Sequence, residues 1–216
     1  WNTMKIIIAG AGIGGLSAAL ALARAGFEVA VVERAPELAE VGAGLQLSPN
    51  AMKCLGSLGV ADAIGKVGSE PATLDLRLGK SGAVVFSIPM AQAARKRYGA
   101  PYLHVHRADL AGILAKAAQE AGARIRFGAR VSAFTRDRAE IRVGLDTGDI
   151  LSGDLMVGAD GMRSSVRRQL FGLDHPRFTG SVAWRLLAPI SAYPDLPNAA
   201  VVWAGALLVL DSAFSI

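Results

Sequence analysis

Cysteine occurs once in the 216 residues, at Cys54, and histidine three times. A single cysteine excludes an internal disulfide and suits a reducing, cytoplasmic setting. No histidine or aspartate stands beside it in sequence, so a small buried hydrophobe is expected there. With so few ligand-type residues a structural zinc site is not predicted. Long apolar runs are missing too. The mean hydropathy is +0.37, yet no stretch reaches the roughly 18 uninterrupted apolar residues of a membrane helix. The most apolar run, Ala199 to Leu210, is too short to span a bilayer. The apolar start Ile6-Ile7-Ile8-Ala9 leads straight into a glycine loop and predicts a buried strand, not a signal peptide. Internal repeats and low-complexity segments are absent.

Charge of one sign is plentiful but rarely clustered. The net charge is +5, with an isoelectric point near 9.7. The basic residues are scattered, apart from Arg95-Lys96-Arg97 and the group Arg163, Arg167 and Arg168. Such a balance attracts either nucleic acid or an anionic cofactor and substrate. No helix-turn-helix or aromatic RNA-binding signature accompanies it, so nucleic acid is not predicted as a partner. The charge suits a pyrophosphate-bearing cofactor.

What is present is an ordered alternation. Lys5 to Ala9 predicts a strand, Gly14 to Ala25 an Ala/Leu-rich helix and Glu28 to Glu33 a second strand. A β-α-β unit with a tight glycine turn calls for a parallel sheet and a right-handed crossover. Gly42 to Pro49 reads as a glycine-rich loop, followed by a helix from about Asn50 to Leu58 closed by Gly59. Thr73 to Leu78 and Ala83 to Ile88 predict paired strands around the turn Lys80-Ser81-Gly82. A helix over Ala108 to Ala121 ends at Gly122. The short segments Arg124 to Phe127, Val131 to Arg136, Glu140 to Leu145 and Ile150 to Leu151 leave no room for helices between them. They predict a small antiparallel sheet laid against the parallel one. Leu155 to Ala159 predicts an apolar strand, Arg163 to Phe171 a helix, and Ser181 to Pro189 and Ala199 to Trp203 further strands.

The chemistry concentrates in Gly10-Ala-Gly12-Ile-Gly14-Gly15, which follows a strand and opens a helix. Gly10 permits the tight turn, Gly12 lets backbone N–H groups approach a pyrophosphate, and Gly15 allows close helix–strand packing. The helix N-terminus adds partial positive charge where phosphates would sit. Glu33 ends the next strand 18 residues after Gly15. There a carboxylate can accept hydrogen bonds from adenosine ribose hydroxyls. FAD and NAD share that unphosphorylated ribose, so this half alone does not choose between them.

The choice comes from Gly158-Ala-Asp160-Gly161-Met-Arg-Ser-Ser-Val-Arg167, where a strand ends in a carboxylate, turns at glycine and enters a helix. With the first glycine motif, Glu33-Arg34 and Gly42-Ala-Gly44-Leu-Gln46-Leu-Ser-Pro-Asn50, the sequence resembles the para-hydroxybenzoate and salicylate hydroxylase family over about Lys5 to Trp203. The resemblance implies an α/β fold: a Rossmann-like FAD-binding domain of glutathione-reductase type, interleaved with antiparallel strands of a partial substrate domain. It implies an FAD-binding part over 1–70 and 101–175 and a partial substrate-binding sheet over 71–100 and 176–216. It also implies cofactor contacts at Gly10, Gly12, Gly14, Gly15, Glu33, Arg34, Gly44, Gln46, Arg107, Val131, Asp160 and Gly161, the Asp-Gly pair having been tied to both FAD and NAD(P)H. Taken by itself, Asp160 reads equally as a turn and helix-capping residue, and Arg107 as a helix-start arginine in an ordinary ion pair.

The implied reaction uses NADH or NADPH to reduce the flavin and then O2 to hydroxylate a small aromatic or heteroaromatic carboxylate. Two departures stand out. Some relatives carry a histidine in the glycine loop, assigned to deprotonating the substrate, where this chain has Gln46, which cannot act as a general base. No catalytic residue is assigned. Family members also run further and carry a late Gly-Asp flavin motif, so the sequence reads as a truncated amino-terminal portion. Strands left uncovered in such a portion would invite association into a homo-oligomer. His104 and His106 alternate on an apparent strand without a third ligand and read as structural histidines. Trp184-Arg185 resembles the family's Trp-Arg on a substrate-domain strand. Ser164 and Ser165 have no neighbouring histidine and make poor nucleophiles.

Overall fold

The computed structural model describes residues 3–38, 44–138, 140–173, 175–182, 191, 195–205 and 209–212. In chain order its elements begin β1 (Lys5–Ala9), α1 (Ile13–Arg24), β2 (Glu28–Val32), β3 (Gly44–Leu47), α2 (Pro49–Ser57) and α3 (Ala61–Val67). They continue β4 (Thr73–Leu78), β5 (Val84–Pro89), α4 (Ala91–Tyr98), β6 (Leu103–His106) and α5 (Arg107–Glu120). The rest are β7 (Arg124–Arg126), β8 (Val131–Asp137), β9 (Glu140–Leu145), β10 (Ile150–Gly153), β11 (Leu155–Gly158), α6 (Ser165–Phe171), β12 (Ala199–Ala204) and β13 (Val209–Ser212). The chain divides into two compact units, residues 1–40 with 110–183 and residues 41–109 with 184–216.

In the first unit a parallel sheet runs in the order β11-β1-β2-β7. Its strand β1 is apolar from Ile6 to Ala9 because both of its faces are covered there. Ile7, Ala9 and Val32 join Ala129, Val131, Val143, Leu145 and Val166 in one buried cluster, while Ile6 and Ile8 are buried on the opposite face. α1 packs along β1 and β2 and buries Leu16, Ala19, Leu20 and Ala23, spaced three and four apart as a helix stripe requires. Truncating the wholly buried Ile8 to alanine is expected to cost about 2–5 kcal/mol. A three-stranded antiparallel sheet, β10-β9-β8, supplies the other side of the cluster.

The first β-α-β unit and the small antiparallel sheet lie where the sequence pattern puts them. The run of short strands divides differently from the expectation, however. β7 pairs in parallel with β2, so only the last three strands of the run make the antiparallel sheet, and β11 pairs in parallel with β1. α5 provides the crossover that lets β7 run parallel to β2. The last helix of this unit starts at Ser165, not Arg163, because Ser164 is its N-cap and accepts from the Arg167 N–H.

The second unit holds a four-stranded sheet, β13-β12-β4-β5, and the two-stranded pair β3-β6. β4 and β5 form the expected hairpin, whereas β12 joins β4 in parallel. Residues 44–47, expected as loop, are the strand β3, paired antiparallel with β6. The sequence reading also lacked α3 and α4. α2 turns Met52 and Leu55 inward, which leaves Cys54 on its outer side. Cys54 is exposed, not buried as expected. Of the strand expected over Ser181 to Pro189, residues 181 and 182 are not strand and the rest, with Trp184 and Arg185, lies outside the described residues. No helix among the described residues is long and apolar enough to cross a membrane.

Candidate functional site

The order β11-β1-β2-β7 makes β1 the starting strand. The chain moves outward to β2 and β7 on one side and returns to β11 on the other. In open parallel sheets, ligands settle beyond the carboxyl ends of the strands where this order reverses. Here that point is occupied by the two glycine motifs, which lie almost 150 positions apart in sequence. The Ala159 N–H donates to the Ala9 carbonyl at 2.8 Å. Gly10 has a φ of +101°, and a Cβ there would stand 2.4 Å from the Ala159 carbonyl oxygen and 3.0 Å from the Asp160 Cα. A Cβ on Gly15 would stand 1.9 Å from the Gly10 carbonyl oxygen. Both positions are closed to any side chain.

Gly12 and Gly14 differ, for a Cβ on either would meet nothing within 4 Å. They keep open the approach to the start of α1. The helix is capped by Gly12 with no side-chain hydrogen bond and has no acid in its first turn. Its leading N–H groups are therefore left to an anion or to water. Glu33 stands over the same loop. Its Oε2 accepts from the Ala11 N–H at 2.7 Å and its Oε1 from the Ala35 N–H at 2.9 Å. A carboxylate offers about four acceptor sites, so roughly half remain for an outside donor. An open glycine cradle, an uncapped helix start and a fixed carboxylate with spare lone pairs fit a dinucleotide. Arg34 is exposed and makes no hydrogen bond or ion pair among the described residues.

Asp160 is engaged by its own chain. Oδ1 accepts from the Ser164 hydroxyl, and Oδ2 accepts from the Ser165 and Val166 N–H groups at 2.7 and 3.3 Å. Partial burial pushes its pKa up, but the Ser164 hydroxyl and the N–H groups of Val166, Asp160 itself and Ser165 outweigh that. They hold the carboxyl below the usual aspartate value. The N-cap is Ser164, not Asp160, whose carboxylate instead holds the first N–H groups of the helix from outside it. Gly161 follows in the turn, and its carbonyl accepts from the Arg167 guanidinium at 3.2 Å. Val131 turns its side chain into the core, while its carbonyl accepts from the Ser165 hydroxyl at 2.8 Å. Beside the turn, Met162, Arg163, Ser164, Arg167, Arg168 and Pro176 line an open cleft of about 390 Å³.

In the second unit the structure brings Gly44, Gln46 and Arg107 together. Gly44 stands opposite His106 and Gln46 opposite His104 across the β3–β6 pair. Arg107 follows His106 directly at the start of α5 and is exposed. His104 is buried and lies edge-on to Tyr102 at 5.4 Å. The sequence reading missed Ala11 and Ala35, whose N–H groups fix Glu33, and gave Ser164 and Ser165 no role. An aspartate followed four residues later by serine at a helix start is a capping signal that could have found the serines.

Residues 3–206 match the family model described as FAD binding domain. The chain belongs to the FAD-binding domain family. Among curated members, it is 39% identical over 204 residues to 3-hydroxybenzoate 6-hydroxylase 1 of Aquipseudomonas alcaligenes, covering 93% of this chain and 52% of the relative. It is 37% identical over 185 residues to 6-hydroxynicotinate 3-monooxygenase of Bordetella bronchiseptica, covering 86% and 48%. Among solved structures of the family, a variant of Klebsiella pneumoniae HpxO complexed with FAD superposes with a TM-score of 0.77 at 27% identity. That match covers 94% of this chain and 51% of the neighbour. The chain thus spans about half the length of the curated relatives it matches.

Proposed function

We propose that the chain is the cofactor-holding part of an FAD-dependent monooxygenase that hydroxylates an aromatic or heteroaromatic carboxylate with NADH or NADPH and O2. The observation that carries this reading is the contact of Gly10 and Gly15 with the Ala159–Asp160 turn, beneath a carboxylate fixed at Glu33. FAD, when bound, supplies electron acceptance from the nicotinamide and activation of oxygen. The chain supplies position and charge. Backbone N–H groups at Gly12, Gly14 and Gly15 hold the pyrophosphate, and Glu33 uses its remaining lone pairs for the adenosine ribose hydroxyls. Asp160 and Gly161 shape the turn beside the phosphates, with Val131 bracing it through Ser165. Arg34, Gly44, Gln46 and Arg107 complete the cofactor contacts. Arg163, Arg167 and Arg168 present a cationic wall to the phosphates of the nicotinamide nucleotide. Residues 1–70 and 101–175 carry FAD in this reading, and 71–100 and 176–216 contribute substrate-facing strands. Gln46 moves no proton, so the aromatic substrate is taken up already ionised or loses its proton elsewhere.

The test is a visible spectrum of the purified chain after incubation with FAD and desalting. A flavin band near one equivalent per chain supports the reading, and a colourless protein overturns it. A second reading, a flavin-binding module without hydroxylase activity that associates with copies of itself, is favoured by β5. That strand ends its sheet among the described residues and exposes Val84, Val85, Phe86 and Ile88, each at 45% or more. Retained flavin without NAD(P)H oxidation on adding aromatic acids, in a chain running as a dimer or larger, selects this second reading.

A further inference from the structure

The sheet order β10-β9-β8 leaves the outer edge of β8 without a strand partner among the described residues. α6 fills it with side chains. The Ser165 hydroxyl lies 2.8 Å from the Val131 carbonyl. Gln169, four residues on and so on the same face of the helix, addresses Phe134 from both ends of its amide. Its Oε1 accepts from the Phe134 N–H at 3.0 Å, and its Nε2 donates to the Phe134 carbonyl. The amide thus reproduces the paired donor and acceptor that a neighbouring strand would offer.

The other end of the same helix holds Asp160, whose Oδ2 takes the Ser165 and Val166 N–H groups and lies 3.1 Å from the Ser165 hydroxyl. Val166 also packs into the core cluster, and the Arg167 guanidinium donates to the Gly161 and Met162 carbonyls. The helix is seven residues long and buries only Val166, while Leu170 and Phe171 are 57% and 82% exposed. A helix that short has no standing of its own in water. Its start is held by Asp160, the Ser165 hydroxyl and the buried Val166, and its far end by the Gln169 amide.

We infer that Gln169 is a positioning residue for the Asp160–Gly161 turn: by latching α6 to the edge of β8 it holds the helix start, and hence the turn, in place. The functional half of this inference rests on the proposal that the turn forms part of the FAD site. The structural half does not.

The experiment compares wild type, Gln169→Leu and Gln169→Glu by amide hydrogen exchange and by FAD titration between about pH 4 and 8. In Gln169→Leu, exchange at the Ser165 and Val166 N–H groups is expected to rise about tenfold, with FAD affinity falling severalfold. Gln169→Glu is the conditional mimic. Protonated, its carboxyl donates to the Phe134 carbonyl and accepts from the Phe134 N–H as the amide does. Ionised, it offers only acceptors and repels that carbonyl. Protection and FAD affinity in Gln169→Glu should therefore climb towards wild type as pH falls into the glutamate range near 4.3, a step absent from wild type and Gln169→Leu. Arg136 and Asp137 on β8 and Arg167 and Arg168 on α6 are common to all three proteins, so a step confined to Gln169→Glu belongs to position 169. Exchange that changes at Phe134 alone, or a Gln169→Glu protein without the pH step, overturns the inference. A wild type that holds no FAD overturns the proposed function instead, and the exchange data still decide the latch.

Discussion

Each unit carries an acid organised by its own chain, and the two are organised by different means. In the first unit the Asp160 carboxylate is gathered by the N–H groups of Ser165 and Val166 and by the Ser164 and Ser165 hydroxyls, all within six residues of it, and Glu33 is gathered by the N–H groups of Ala11 and Ala35. In the second unit Asp75, buried in β4, is gathered by side chains. The Ser87 hydroxyl donates to its Oδ1 at 2.6 Å from across the β5 strand, and Arg77 reaches its Oδ2 at 3.3 Å. Arg77 in turn lies 5.9 Å over the ring of Trp203, its register partner on β12. A carboxylate held by nearby N–H groups fixes a turn and survives whatever happens at a distance. One held by a side chain from a neighbouring strand exists only once the two strands are in register.

The comparison breaks first if the backbone-built turn tolerates a side chain. Gly15→Ala puts a Cβ against the Gly10 carbonyl and is expected to cost about 3 kcal/mol or more. Circular dichroism and flavin retention would show it, with Gly14→Ala, set in open space, keeping its fold. A Gly15→Ala protein indistinguishable from wild type would mean that the two motifs do not meet as described. Next in size, Glu33→Ala is expected to weaken FAD retention tenfold or more, and equal retention would remove the ribose assignment.

The two aspartates sharpen the contrast by pH. The Ser87 hydrogen bond, then those of Thr73 and Arg77, outweigh burial and lower the pKa of Asp75. Asp160 is lowered as well. A depressed folded pKa means stability that is present above the unfolded value near 3.9 and lost as pH falls through the lower folded value. Acid should therefore loosen both places below about pH 4. Asp75→Asn should abolish that dependence for the β4–β5–β12 sheet alone, at a cost of about 1 kcal/mol, read by amide exchange. A sheet that keeps its acid response in Asp75→Asn would deny Asp75 its role. The smallest effect is expected at Cys54→Ala, where an exposed thiol on α2 is removed and flavin retention stays unchanged.

The same contrast explains what the sequence disclosed. Gly10 to Gly15, Glu33 and Asp160-Gly161 were legible because each sits in a short strand–turn–helix or strand-end pattern whose demand on residue type is written locally, although the partners Ala11 of Glu33 and Ala159 of Gly10 lie 22 and almost 150 positions away. β1, α1, β2, β4, β9 and α5 were legible from periodicity within a residue or so at each end. The pairing of Gly44 and Gln46 with His106 and His104 was not, since β3 is four residues long and gains its hydrogen bonds from a segment some sixty positions on. β7 read as a member of the antiparallel run because a strand of three residues does not announce its direction. Asp75 gave no signal at all. Its main partner, Ser87, comes beside it only once β5 pairs with β4.

The parallel join of β4 to β12 sets a timetable. Thr73 meets Ala199, 126 positions later in the chain. At ribosomal speeds of about 5–20 residues per second, β4 and β5 leave the ribosome roughly 6 to 25 seconds before β12 exists to receive them. Through that interval the hairpin waits with one flank bare and Val84 to Ile88 uncovered on the other. Crowding among nascent chains is most hazardous to this sheet at that moment, and slow translation between Pro89 and Ala199 would lengthen the danger.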